Sequence, residues 1–184
     1  MLTNNFKKIL FKYIFGFSAN STGGDPPTNY SNRPTLISTS GSSLYMTDNG
    51  YGSGSIGMWF SAVNSLSTVN TTPTNGRGYI ILGSGTTEPT PEDYCLESQI
   101  TENLSCDSVS VSRNTTIKTY TATFSNSGTS PMTVTEIGYV SRTSYAYNAG
   151  ENSFDNFLMD RTVLDTPVTI PAGESRTITY TLSF

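Results

Sequence analysis

Strict alternation of apolar and hydroxyl-bearing residues is the feature that most narrows what this chain can fold into. Near its end, Ile178, Tyr180, Leu182 and Phe184 fall on one side of an extended backbone and Thr177, Thr179, Thr181 and Ser183 on the other. A period of two belongs to a strand with one face in a core and the other toward solvent or a neighbouring sheet. Tyr120, Ala122 and Phe124 alternate in the same way with Thr119, Thr121 and Thr123, and Val109 and Val111 begin a similar pattern upstream. Residues 132–140 (MTVTEIGYV) and 161–170 (RTVLDTPVTI) read as further strands. Pro171 presets φ for a turn and Gly173 can take positive φ, so the stretch after Ile170 is expected to reverse the chain between two antiparallel strands. Asn126 and Gly128 punctuate the chain likewise, which gives four or five strands after residue 105.

Composition agrees with an all-β protein. Only 13% of residues are charged, and 11 Tyr and 9 Phe suit strands better than helices. A chain of 184 residues can form one domain, burying roughly 70% of its unfolded surface without help from metals or disulfides. The expected fold is an antiparallel β-sandwich, Ig-like or jelly-roll-like, over residues 34–184, with 78–184 its clearest part. Within it, residues 34–39 and 42–47 suggest a first hairpin, residues 56–60 with Trp59 another strand, and residues 78–85 (GYIILGSG) a buried strand.

The first 17 residues (MLTNNFKKILFKYIFGF) differ from the rest. Phe6, Leu10, Tyr13 and Phe17 have helical spacing, while Ile9, Phe11, Ile14 and Phe15 extend the apolar surface almost all round the axis. Such a helix needs a partner on several sides and is too short to span a bilayer unaided. Four roles fit: a cleaved signal peptide interrupted by Lys12, a basic amphipathic membrane-surface helix, an anchor inserted into another protein, or a helix folded back on its own domain. Taken as an anchor, it would use Phe6, Ile9, Leu10, Phe11, Tyr13, Ile14, Phe15 and Phe17. Residues 18–33 (SANSTGGDPPTNYSNR) form a linker by composition.

Charge and residue usage exclude several function classes. Ten Lys plus Arg against 14 Asp plus Glu give a net charge of −4, and three of those cations are Lys7, Lys8 and Lys12, so a nucleic-acid footprint over the main body is not expected. Histidine is absent, which removes the usual general base and the commonest metal ligand. Glu92, Asp93 and Glu97 are the densest acidic group and the best candidates for a carboxylate pair. They follow Thr90 and Pro91, however, where Thr90 can cap a short helical turn with acids near its positive end, and capping is the preferred reading. No catalytic residue, cofactor or metal is assigned. Gly52, Gly54 and Gly57 match a dinucleotide fingerprint without its acidic partner or its βαβ setting. Asp48 and the trio Asp155, Asn156 and Asp160 do not match an EF-hand loop. Cys95 and Cys106 lack zinc or redox spacing and are expected to be plain thiols, one short bridge being the alternative.

In order along the chain, residues 83–97 (GSGTTEPTPEDYCLE), 134–138 (VTEIG), 161–164 (RTVL) and 167–175 (PVTIPAGES), with Tyr180 near the close, resemble small virion proteins of tailed bacteriophages. The resemblance covers residues 78–184. It implies a β-sandwich ending in a hairpin and a non-enzymatic virion protein of the tail, neck, fibre or head-decoration type. Implied partners are portal, neck, tail or capsid proteins and symmetric copies of the same chain, in a particle assembled in the bacterial host cytoplasm. The N-terminal segment would be the attachment device, with membrane contact the lesser option. A different class of function is an adhesin-like module recognising a bacterial surface glycan or protein, for which Trp59, Tyr145 and Tyr147 are the candidate aromatics.

Overall fold

A computed structural model describes residues 1–8, 35–46, 78–113, 117–148 and 151–183. Within them eight strands form two antiparallel sheets. The larger contains β1 (Thr35–Ile37), β2 (Ser43–Met46), β3 (Gly78–Gly83), β6 (Met132–Asn148) and β7 (Glu151–Ile170); the smaller contains β4 (Leu104–Arg113), β5 (Ile117–Asn126) and β8 (Ser175–Ser183). All pairings are antiparallel. The backbone of the large sheet is β6, which pairs with β7 along one edge and with β3 and β2 along the other.

Alternation works as the sequence implies. In β5 every second residue from Lys118 to Asn126 is buried, and in β8 Ile178, Tyr180 and Leu182 are buried between exposed hydroxyl residues. One apolar cluster joins the sheets: Ile80, Leu82, Val134, Ile137, Tyr139, Phe157 and Met159 from the large one meet Cys106, Tyr120, Ala122, Phe124, Ile178, Tyr180 and Leu182 from the small one. Full burial of side chains this large contributes about 1.5–3 kcal/mol each before ordering costs. The first hairpin forms as expected, with Leu36 fully buried.

The turn after Ile170 forms, with Gly173 at φ 71°, but it does not make the expected hairpin. Strand β7 ends in the large sheet and β8 pairs with β5 in the small one, so this turn carries the chain between sheets. It is held from the side, because Asn126 N–H donates to Glu174 O at 2.9 Å and Gly173 N–H to Asn126 O at 2.9 Å. The buried Asn126 amide donates to Ser130 O and Ile170 O, fixing the junction. Local sequence identifies a turn; whether the strands it joins are paired depends on which sheet each one's apolar face completes.

The expected boundary between an anchor of residues 1–17 and the body lies outside the described residues, but residues 1–8 are docked on the body. Leu2 bridges to Asp160, Thr3 N–H donates to Met159 O, and Thr3, Asn5 and Phe6 are buried. Residues 4–8 form a short helical turn. Asn5 acts as a surrogate strand: its Nδ2 donates to Ile37 O at 2.7 Å and its Oδ1 accepts from Ile37 N–H at 2.9 Å. Phe6, expected among the partner-facing anchor residues, instead joins the protein's own core, because the segment meets β1 and β7 at the rim of that core. Ile9, Leu10, Phe11, Tyr13, Ile14, Phe15 and Phe17, together with the linker 18–33, lie outside the described residues. Among the described residues no helix is long and apolar enough to cross a membrane.

Candidate functional site

Three bulges or irregularities interrupt the β6–β7 ladder, and the one between Tyr139 and Val140 decides where charge goes. Val140 pairs with Leu158 and Tyr139 with Asp160, leaving Met159 as the extra residue. Such a bulge re-aims the side chains around it. Phe157 and Met159 enter the core shared with the small sheet, and Leu158 joins a second apolar cluster with Ile81, Leu96 and Val140. Asp160 takes the Tyr180 hydroxyl and the terminal ammonium of Met1, the latter at 3.1 Å. Burial and the neighbouring Asp160 carboxylate push the Tyr180 phenol up. Arg161 is left on the opposite face, beside Gly138 and Glu136.

That face is covered by the segment between β3 and β4, and Arg161 is its fastening point. The guanidinium, 3% exposed, donates from Nε to Glu136 Oε2 at 2.8 Å, from Nη1 to Asp93 Oδ2 at 2.7 Å and from Nη2 to Thr87 O at 3.1 Å. Glu97 Oε2 lies 3.5 Å from Nη2. Glu136 is fully buried and accepts backbone N–H bonds from Gly85, Glu97 and Ser98 at 3.0, 3.2 and 2.8 Å. Glu97 in turn accepts from Thr86 N–H, Thr87 N–H and the Thr87 hydroxyl. A buried carboxylate is tolerable only when its lone pairs are filled in this way.

The electrostatics follow the contacts. Burial opposes the charge on Arg161, yet hydrogen bonds to Asp93 and Glu136 outweigh it and hold the guanidinium protonated beyond its ordinary range. Burial raises Asp93, but the bonds from Arg161 and from Thr90 are stronger and keep its carboxyl below the usual carboxylate value. The Thr87 hydroxyl and neighbouring N–H groups hold Glu97 low as well. Chemically the cluster is a latch: each of its three carboxylates is committed to Arg161, to backbone N–H groups, or to both.

Close approach makes glycine necessary here. A Cβ on Gly85 would lie 2.5 Å from Glu97 Cβ and 2.6 Å from Glu136 Oε1, and one on Gly138 would lie 2.8 Å from Leu158 Cδ1 and 2.9 Å from Leu96 Cδ2.

The acidic trio expected around residues 92–97 is therefore split. Thr90 and Asp93 close a turn, Thr90 N–H donating to Asp93 Oδ2 at 3.0 Å, the Thr90 hydroxyl to Asp93 Oδ1 at 2.8 Å and Asp93 N–H to Thr90 O at 3.2 Å; the first of these is the side-chain-to-backbone half of a capping box. Glu92 only meets Asn4 Nδ2 at 3.5 Å, while Asp93 and Glu97 join the latch. The residues that sequence reasoning missed as a site are Glu136 and Arg161, and the signal available for them was a charge set inside an otherwise apolar strand run. Asp155, Asn156 and Asp160 do not converge: Asp155 Oδ1 accepts Asn156 N–H, and Asp160 faces Tyr180. Among the described residues no group of three His, Cys, Asp or Glu side chains is placed to hold a metal ion.

Cys95 and Cys106 are unbridged, and burial pushes both thiols up, which lowers their reactivity. An unexpected cation, Lys118, lies in the interior with its Nζ 4.9 Å from the Tyr120 ring centroid and 5.9 Å from that of Tyr139. Trp59 lies outside the described residues; Tyr145 and Tyr147 belong to β6, with their side chains outside the description. Comparison of the chain with protein-family models, with curated proteins and with solved structures returns no match.

Proposed function

We propose that this chain is a non-enzymatic structural protein of a tailed-bacteriophage particle: a β-sandwich that assembles with symmetric copies of itself on the tail, neck or capsid. One observation carries the reading. Three stretches behind the resemblance to small virion proteins, residues 83–97, 134–138 and 161–164, supply Gly85, Asp93, Glu97, Glu136, Gly138 and Arg161, which meet in one latch around the buried Arg161 and Glu136. Motifs that are each weak alone thus become parts of a single device that fastens a long covering segment to a sheet. A rigid, low-charge body with committed carboxylates suits repeated protein contacts better than turnover. Attachment to portal, neck, tail or capsid proteins would rest on the apolar residues from Ile9 to Phe17, since Phe6 is used internally. The setting is the virion, assembled in the bacterial host cytoplasm.

Quantitative mass spectrometry of purified particles tests this. The chain should be present at a copy number matching the symmetry of one particle part, and its absence from particles would overturn the proposal.

A further inference from the structure

Several strand edges in the described residues are partly covered or interrupted, and β8 is the longest that is neither. At β7 the backbone of residues 1–3 pairs beside Met159–Arg161, and Pro167 lies in the irregular stretch opposite Val134–Glu136. The Asn5 amide occupies β1 at Ile37. Along β3, Gln99 bridges to Gly83 and Ile100 N–H donates to Leu82 O. Strand β4 is bulged between Cys106 and Ser108. By contrast β8 runs nine residues without proline, glycine or bulge, carries Arg176 as its one charge, and pairs only with β5 among the described residues. A long, regular edge with a single charge near one end presents alternate N–H and C=O groups to whatever strand approaches it, and proteins normally blunt such edges.

The sequence of β8 says which strand fits. Its outward face reads Ser175, Thr177, Thr179, Thr181, Ser183, the same in both directions. Antiparallel pairing of two β8 strands about a two-fold axis at Thr179 therefore sets Ser175 against Ser183, Thr177 against Thr181 and Thr179 against its own copy. Like-on-like hydroxyl pairing is what β8 already makes with β5: Thr123 and Thr177 hydroxyls lie 2.9 Å apart, Thr119 and Thr181 3.4 Å, and Ser125 and Ser175 2.5 Å. On the inward face the same register opposes Ile178 to Tyr180 and Arg176 to Leu182, so an aromatic meets a β-branched residue and no like charges are opposed. Cross-strand pairs of both kinds are favourable.

We propose that β8 is a homodimerisation edge, at which two copies join through an antiparallel β8–β8 pair and merge two three-stranded sheets into one of six strands. The interface is isologous, as a two-fold requires. It does not depend on the particle setting proposed above, and it would hold for the isolated full-length chain.

Cysteine cross-linking tests the register. In the full chain carrying Cys95→Ser, which removes the more exposed native thiol, Thr179→Cys places one thiol beside its copy. Directly paired residues have Cα atoms about 4.5–5.5 Å apart, within the span of a disulfide. Thr121→Cys is the control: it lies on the same face in register with Thr179, one strand inward, so its copy would stand about 14 Å away across three strand spacings. Under mild oxidation the Thr179→Cys chain should be mostly covalent dimer and the Thr121→Cys chain mostly monomer. Sedimentation of the unsubstituted chain over a concentration series should show monomer passing to dimer. Equal cross-linking at both positions, or no cross-link at Thr179→Cys, overturns the proposal. So does a chain that stays monomeric while the β8 amides are fully protected from hydrogen exchange, since another segment or protein would then own the edge.

Discussion

Replacing Arg161 with methionine keeps an unbranched, if shorter, side chain and removes the charge from a site where the arginine side chain is 3% exposed. Glu136, fully buried, would retain its three backbone N–H donors but lose the cation 2.8 Å away. Breaking a buried pair from one side costs about 3–5 kcal/mol, because an uncompensated charge remains. The pair with Glu97 adds little to that figure, since the Glu97 side chain is 39% exposed and solvent screens it. For a chain of this size about 2–4 °C accompanies each kcal/mol, so Tm should fall by roughly 6–20 °C. Urea unfolding should show the same loss. Hydrogen exchange should locate it, with the amides of Gly85, Thr86, Thr87, Glu97 and Ser98 losing protection before those of β5 and β8. Adding Glu136→Gln removes the stranded charge, and the double variant should be less destabilised than the sum of the singles, by about 0.5–3 kcal/mol. A loss below about 1 kcal/mol in the single variant, or strictly additive effects, would refute the latch: guanidinium and carboxylate would then be adjacent without depending on one another.

Two further outcomes are expected. Phe6→Ala should destabilise the whole domain by about 3–5 kcal/mol in chemical denaturation, because Phe6 packs in the main core; an effect confined to partner attachment, with stability unchanged, would return this residue to an anchor role. Asp93 has a folded-state carboxyl held below the ordinary value despite partial burial, through its bonds to Arg161 and Thr90. Its contribution is therefore fully present above the unfolded carboxylate pKa, about 3.9, and is lost as pH falls below that value through the depressed one. Asp93→Asn should flatten the acid limb of a stability-against-pH curve in that window, and an unchanged limb would mean that other carboxylates govern it.

Local sequence was enough for the strands. Thr and Ser alternating with Tyr, Ile and Phe leave one face to bury, and β5 and β8 follow that pattern residue by residue, while the continuous apolar run of β3 is buried almost throughout. The turn at Gly173 was legible for the same reason, since proline and glycine act on their own backbone. Thr90 and Asp93 were legible as a turn because their contact spans three residues.

What the chain order alone did not determine was decided by pairing at long range. Strand β8 joins β5 rather than β7, 50 or more residues away in sequence, because its apolar face completes the core from the opposite sheet. Phe6 carries the same helical spacing as the apolar residues after it, yet residues 1–8 dock on the body because Leu2 and Thr3 find the β7 edge and Asn5 finds Ile37. Arg161 and Glu136 look in sequence like isolated charges within strands. One extra residue in the β6–β7 ladder turns Arg161 toward Glu136, and the covering segment then fills both with hydrogen bonds. Periodicity fixes which side of its own strand a residue takes; only tertiary pairing fixes what waits on that side, because the desolvation of a buried charge is offset by groups far away in sequence.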